Sequence, residues 1–279
     1  MERRRFLAGL SATVPLALAG CLGGQDDDTS TTASNDETTT QTPDDTTTST
    51  TDSGPLSVGE KLSLGDDRAI GVVGMDATAF VLTREGTDYQ VHSGNTTRYV
   101  LVTFDIDAVS DYESLVAENV TLTLNDEQSF GDPVFPLGGG ANQFVAAYPV
   151  PNDVTPYTGS VDLDTGDQPA TWEFDARDIE SITQNVDWEV TSETVPDSVA
   201  PEAEFGVDLE IENNGDAFEF VTTVAGTASA PTRATFDVPA SDTVTKTVEL
   251  TAPAADGESE FHVELDWGGT GIIEVIPFE

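Results

Sequence analysis

Phe205-Gly206-Val207-Asp208-Leu209-Glu210-Ile211-Glu212 sets an apolar side chain at every second position, with an acidic or small residue between. A period of two sends alternate side chains to opposite faces of a strand. One face is thus suited to a core and the other to water, as in a half-buried antiparallel sheet. The same alternation recurs far upstream, where Val100, Val102, Phe104 and Ile106 alternate with Leu101, Thr103, Asp105 and Asp107. It returns downstream, where Phe261, Val263, Leu265 and Trp267 alternate with His262, Glu264 and Asp266. Turn signals separate the runs: Asn125-Asp126, Gly138-Gly139-Gly140, Asn213-Asn214-Gly215-Asp216 and Gly268-Gly269. Only Asp111 to Glu118 reads as helical. From Pro55 onward the chain is predicted to be all-β and antiparallel.

About 225 residues follow position 54, which suits two sandwiches better than one small one. A boundary near Asp175 to Asn185 gives one β-sandwich over 55–180 and a second over 186–279, with no internal repeat relating them. In the second, strands are expected over Trp188–Val195, Glu204–Glu212, Ala217–Val224, Thr243–Thr251, Ser259–Trp267 and Ile272–Ile276. Lys246 falls on the apolar parity of Val244, Val248 and Leu250, which predicts an edge strand or a bulge there. An alternating strand leading into Asn213-Asn214-Gly215, followed by a Thr-rich strand, resembles the adhesion-type (CARDB-like) immunoglobulin-like modules of archaeal and bacterial surface proteins. The first half carries Arg98-Tyr99-Val100-Leu101-Val102-Thr103-Phe104, Ala147-Tyr148-Pro149-Val150-Pro151 and Thr171-Trp172-Glu173-Phe174. It resembles the immunoglobulin-like domain found after the linker of many prokaryotic lipoproteins. Together the resemblances imply two tandem immunoglobulin-like antiparallel β-sandwiches, and no particular chemistry.

The N-terminus supplies an address. Arg3, Arg4 and Arg5 precede Phe6 and Leu7, then a short apolar run closes on Leu18-Ala19-Gly20-Cys21. Basic, apolar and small-residue regions in that order make residues 1–20 a processed signal peptide. Arg3-Arg4-x-Phe6-Leu7 resembles the twin-arginine export signal, which implies export of an already folded chain. Leu18-Ala19-Gly20-Cys21 resembles the lipobox of prokaryotic lipoproteins, which implies cleavage before Cys21 and a lipid on its sulfur. Phe6 to Gly20 contains Pro15 and is shorter than the roughly 20 apolar residues of a spanning helix. Cys21 is the one cysteine, so no disulfide can form within the chain. Residues 21–54 follow as a disordered linker of Thr, Asp and Ser, too polar to offset the entropy of ordering. Such a Thr-rich stalk is also a candidate for O-glycosylation.

Fifty-two acidic and ten basic residues give a formal net charge of -42. Only Lys61, Arg68, Arg84, Arg98, Arg177, Arg233 and Lys246 lie beyond the signal. Such a load repels itself until salt shortens the Debye length to about 3 Å at 1 M. Excess Asp and Glu with almost no Lys resembles proteins of halophilic archaea. The alternative is an acidic surface for a basic partner, but the acids run through linker and body alike. With no basic patch to neutralise phosphates, nucleic acid is not an expected partner.

Residues that could carry chemistry lack the spacing for it. His92, before Ser93-Gly94-Asn95, reads as a turn residue, and His262 lies on the acidic face of its strand. Neither has a Cys or His partner at ligand spacing. No Gly-x-Ser-x-Gly elbow and no phosphate loop occurs. Asp162, Asp164, Asp167 and Glu173 echo a calcium loop, yet Gly166 and Asp167 are in the wrong order for its turn. A hairpin pairing Val161–Leu163 with Thr171–Phe174 fits better, leaving weak surface cation binding as the most this segment offers. Tyr148, Tyr157, Trp172, Trp188 and Trp267 read as core packing ahead of groove lining. Asn95-Thr96-Thr97 and Asn119-Val120-Thr121 are N-glycosylation sequons.

The expectation is a non-catalytic lipoprotein with no cofactor and no resident metal. It is held to the extracellular face of the membrane by lipid on Cys21 and serves protein-protein or cell-envelope interaction. The alternative is a ligand-capturing lipoprotein, a transporter accessory or sensor, which needs an aromatic-lined cleft.

Overall fold

In the computed structural model, strands occupy the alternating runs, and residues 54–279 are described except 141, 167 and 229–231. The expected signal peptide, Cys21 and the expected linker as far as Ser53 lie outside the described residues. The first half contains β1 (Leu56–Ser57), β2 (Lys61–Gly65), β3 (Arg68–Thr78), β4 (Phe80–Glu85), β5 (Asp88–Ser93) and β6 (Thr97–Asp107). Helix α1 (Tyr112–Asn119) follows, then β7 (Val120–Leu124), β8 (Gln128–Phe130), β9 (Gln143–Pro151), β10 (Gly159–Leu163), β11 (Ala170–Glu173) and α2 (Ala176–Ile182). The second half contains β12 (Trp188–Thr194), β13 (Glu204–Asn213), β14 (Phe218–Ala225), β15 (Thr232–Val238), β16 (Asp242–Thr251), β17 (Glu260–Asp266) and β18 (Gly271–Pro277). The chain is all-β in class, with two short helices among the described residues.

Two sheets share the first core in a sandwich-like arrangement. One has the order β2-β3-β6-β9 and the other β1-β11-β10-β7-β8, all pairs antiparallel except β1 with β11. Ile70, Val72, Val100, Val102, Phe104 and Tyr148 from the one meet Leu122, Leu124, Val161, Leu163 and Trp172 from the other. The indole N–H of Trp172 donates to the Glu60 carbonyl at 3.0 Å, so this large ring is buried without an orphaned donor. Asn125 and Asp126, with φ of 55° and 63°, make the tight β7–β8 turn that their sequence signals.

Helix α2 lies where the sequence showed only a boundary. Its start is a capping box: Asp175 accepts from the amides of Arg177 and Asp178, while Asp178 accepts from the Asp175 amide. Those amides hold the Asp175 carboxyl below the usual carboxylate range. Ile179 and Ile182, three apart on one face, pack on the first core.

The second core lies between the sheets β12-β13-β16 and β15-β14-β17-β18. Phe205, Val207, Leu209 and Ile211 are all buried, as their alternation requires. Lys246 sits half-buried on β16, an edge strand, which accounts for its apolar parity. Strand β15 is an addition to the expected set: Ala234, Phe236 and Val238 alternate with Arg233, Thr235 and Asp237, and pack on this core.

Core and chain order part company at one hairpin. Ala79, Phe80 and Val91 belong to the second core, and Leu82 packs against it. The Phe80 ring lies 4.9 Å from Trp188, 5.7 Å from Phe218 and 5.0 Å from Phe220. Val81 points the other way, into a small cluster with Tyr99 and Ala147. The β4–β5 hairpin is thus apolar on both faces.

Gly71 shows how a missing side chain sets a charge. Lys61, Gly71 and Asp105 stand side by side on β2, β3 and β6. With no side chain at the centre, Lys61 reaches across to Asp105 at 3.0 Å and Asp107 at 2.8 Å. The two carboxylates raise its pKa above the ordinary lysine value. These are the ion pairs among the described residues.

Candidate functional site

The turn Ser93-Gly94-Asn95 comes against the start of β12 and the β17–β18 turn. A cleft of about 370 Å³ opens there, lined by Ser93, Asn95, Trp188, Glu189, Trp267 and Gly271 among others. Side chains bonded to backbone hold these turns. The Ser93 hydroxyl donates to the Trp267 carbonyl, and the Asp266 carboxylate accepts from the amides of Gly268 and Gly269 at 2.9 and 3.1 Å. Asn152 of the first half donates to the Val186 carbonyl and accepts from the Val186 amide.

The aromatic residues are mostly spent on packing. Tyr148 and Trp172 are fully buried, and Trp188 and Trp267 expose only 4% and 6%. Burial pushes the Tyr148 hydroxyl well above its ordinary pKa. Tyr157 is the exception and stands exposed. The Trp188 indole N–H is buried without a hydrogen-bond partner among the described residues. An indole left so costs free energy unless something meets it.

The histidines are apart. His92 is not in the turn but in β5, opposite Val81, and its Nε2 pairs with the Thr83 hydroxyl at 2.9 Å. Burial lowers its pKa, and the charge of Asp266 partly opposes that. His262 is exposed on β17. The Ser93 hydroxyl, committed to the Trp267 carbonyl, is not offered to an imidazole.

The acidic loop is a hairpin as read, with Val161 opposite Trp172 and Leu163 opposite Ala170. Asp162 accepts from three hydroxyls: Thr123 at 2.9 Å, Ser160 at 3.0 Å and Thr171 at 2.8 Å. Asp164 accepts from the Gly166 amide in a local turn, and Asp167 lies outside the described residues. Among the described residues no group of three or more His, Cys, Asp or Glu is placed to hold a metal ion.

The surface carries one feature that strand alternation alone does not explain. β18 is an edge strand, and on it Ile273 and Val275 are 68% and 45% exposed. They share one face, two residues apart, opposite Glu264 and His262 of β17. The sequence signal was Ile272-Ile273 and Val275-Ile276, apolar on both parities, which the expected half-buried strand did not require.

Asn95 lies exposed in its turn, and Asn119 closes α1 with its amide bonded to the Leu115 carbonyl at 3.0 Å. Cys21, Arg3, Arg4, Phe6 and Leu7 lie outside the described residues. No described helix is long and apolar enough to cross a membrane. No protein-family model matches the chain, and no curated protein matches it in sequence.

Proposed function

We propose that this chain is a non-catalytic surface lipoprotein of a halophilic archaeon, exported folded and anchored through lipid on Cys21. A stalk, residues 21–54, would present two tandem immunoglobulin-like sandwiches, 55–180 and 186–279, the first lending its β4–β5 hairpin to the core of the second, to a protein partner at the cell envelope. The observation that carries the interaction role is the exposed Ile273–Val275 stripe on edge strand β18. An unpaired strand edge offers N–H and C=O groups to another chain, and exposed apolar side chains beside it add area to such a contact. Glu274, between the buried Ile272 and Ile276, puts a charge on the same edge, and Val199 covers its end by donating to the Pro277 carbonyl at 3.1 Å. The engagement of Ser93 and His92 in structural bonds supports a non-catalytic reading.

The test is photocrosslinking in intact cells at native salt, with a photoreactive residue at position 273 and, as control, at exposed position 180. A discrete adduct at 273 that disappears in Val275→Asp is the expected result. Cys21→Ala should release the chain from the membrane and remove the adduct. Equal labelling at 273 and 180, or none at either, would overturn the interaction role.

Ligand capture is the second reading, and the cleft beside the unpartnered Trp188 indole favours it. Saturable quenching of Trp188 fluorescence by a small molecule of the envelope would replace the first reading with this one.

A further inference from the structure

We propose that Asn95, and not Asn119, is the N-glycosylation acceptor of this chain. The inference rests on the export reading above, because a chain exported folded meets a glycosyl transferase with its sequons already in place. Both tripeptides satisfy the sequence rule; the fold treats them differently.

Transfer requires a free carboxamide. The Asn Nδ2 forms a bond to the anomeric carbon of a saccharide carried on a polyprenyl phosphate. The bond from that carbon to the phosphate oxygen breaks, and the phosphate leaves with the electron pair. One amide proton passes to a base of the transferase. The nitrogen must therefore leave any hydrogen bond it makes, and the hydroxyl two residues on must be within the enzyme's reach.

Asn95 meets both needs. It and Thr96 are exposed at the tip of a turn closed by the Thr97 amide on the Gly94 carbonyl at 3.3 Å. No partner holds the Asn95 side chain among the described residues. Thr97 is the first residue of β6, and its register partner is Pro151, which has no N–H to donate. The hydroxyl residue therefore sits at a loosely paired strand end.

Asn119 fails the first. Its Nδ2 donates to the Leu115 carbonyl at 3.0 Å and so satisfies the last turn of α1. Its hydroxyl residue, Thr121, is inside β7, opposite Asp162 on β10. Both neighbours of Thr121, Val120 and Leu122, are buried in the first core. Thr121 is half-buried within β7, so this sequon runs from a bonded helix end into paired strand and not across an exposed turn tip.

The position has a consequence for the cleft. Asn95 is an exposed residue of the cleft lining, with the buried Trp188 and Trp267, so a saccharide on it would cover the opening. The glycan thus weighs against capture of a second ligand in that cleft and leaves β18 as the open contact surface.

The test is peptide mapping by mass spectrometry on the full chain from native membranes, with surface labelling to locate it. The 95-containing peptide should carry a saccharide mass increment in wild type and in Asn119→Gln. That increment should vanish in Asn95→Gln and in Thr97→Ala, with the melting temperature of Asn95→Gln unchanged. The 119-containing peptide should be bare throughout. A surface-labelled chain with bare Asn95, or with saccharide on Asn119, overturns the proposal alone. A chain shielded from surface label overturns the export reading and this proposal with it.

Discussion

The two cores draw on the chain in different ways. The first gathers residues between Ile70 and Ile182 but passes over the segment from Ala79 to Val91. The second gathers residues from Val186 to Ile276 and takes in that omitted segment, about a hundred residues upstream. The cause is local. Most strands alternate, so each can serve one core. Ala79-Phe80-Val81-Leu82 is apolar at every position, so β4 serves two: Phe80 and Leu82 face the second core, and Val81 faces Tyr99 and Ala147. A run without alternation marks a strand buried on both faces.

The largest test of this contrast compares Phe80→Ala with Phe104→Ala. Each removes a buried ring and should cost about 3–5 kcal/mol. The site of the damage should differ. In a Trp172→Phe background, Phe80→Ala should shift the emission of Trp188 and Trp267 at temperatures below the melt, while Phe104→Ala should leave it in place. Unchanged indole emission in Phe80→Ala would mean that the hairpin is not part of the second core.

A smaller effect is expected from glycines at close approaches. A Cβ on Gly215 would run into the Asn185 carbonyl and lie 2.9 Å from the Asp187 amide, both backbone. A Cβ on Gly71 would meet the Glu60 carbonyl at 2.6 Å and the Lys61 Cγ at 2.9 Å, and the second of these can swing aside. Each change to Ala should destabilise by about 1–3 kcal/mol, with Gly215→Ala the worse in thermal melts at high salt. The reverse order would mean that the 213–216 turn is not locked against the segment entering β12.

The smallest effect is a pH slope. Burial holds His92 below its ordinary pKa, so just below about 6.5 the unfolded chain binds more protons than the folded one. Stability contributed by neutral His92 is complete above that value and is lost on acidification through the folded pKa. Melting temperature should therefore fall from pH 7 to pH 5, and His92→Gln should flatten that slope. An identical slope in the variant would assign the loss to the carboxylates instead.

Fold class was legible because burial on one face writes itself as period two, and β6, β13 and β17 carry that pattern cleanly. What escaped were elements with other signatures. Helix α2 begins with Asp175-Ala176-Arg177-Asp178, a capping box built with Asp where Glu is the familiar partner. Strand β15 has small Ala234 in its apolar series, which dilutes the alternation. The cleft was not legible at all, since it joins Asn95, Trp188 and Gly271 from three distant segments. The sequons were legible as tripeptides, but the hydrogen bond that separates Asn119 from Asn95 depends on a helix end.

The β4–β5 hairpin also makes folding answer to synthesis. Phe80 and Val91 leave the ribosome long before Phe218, Phe220 and Trp188 exist to cover them. A chain broken off anywhere short of β14 keeps that apolar face uncovered, however well its first core has formed. The finished molecule conceals it. Whatever machinery inspects a chain before release thus has one local mark, an open or closed hairpin face, that distinguishes a truncated product from a complete one.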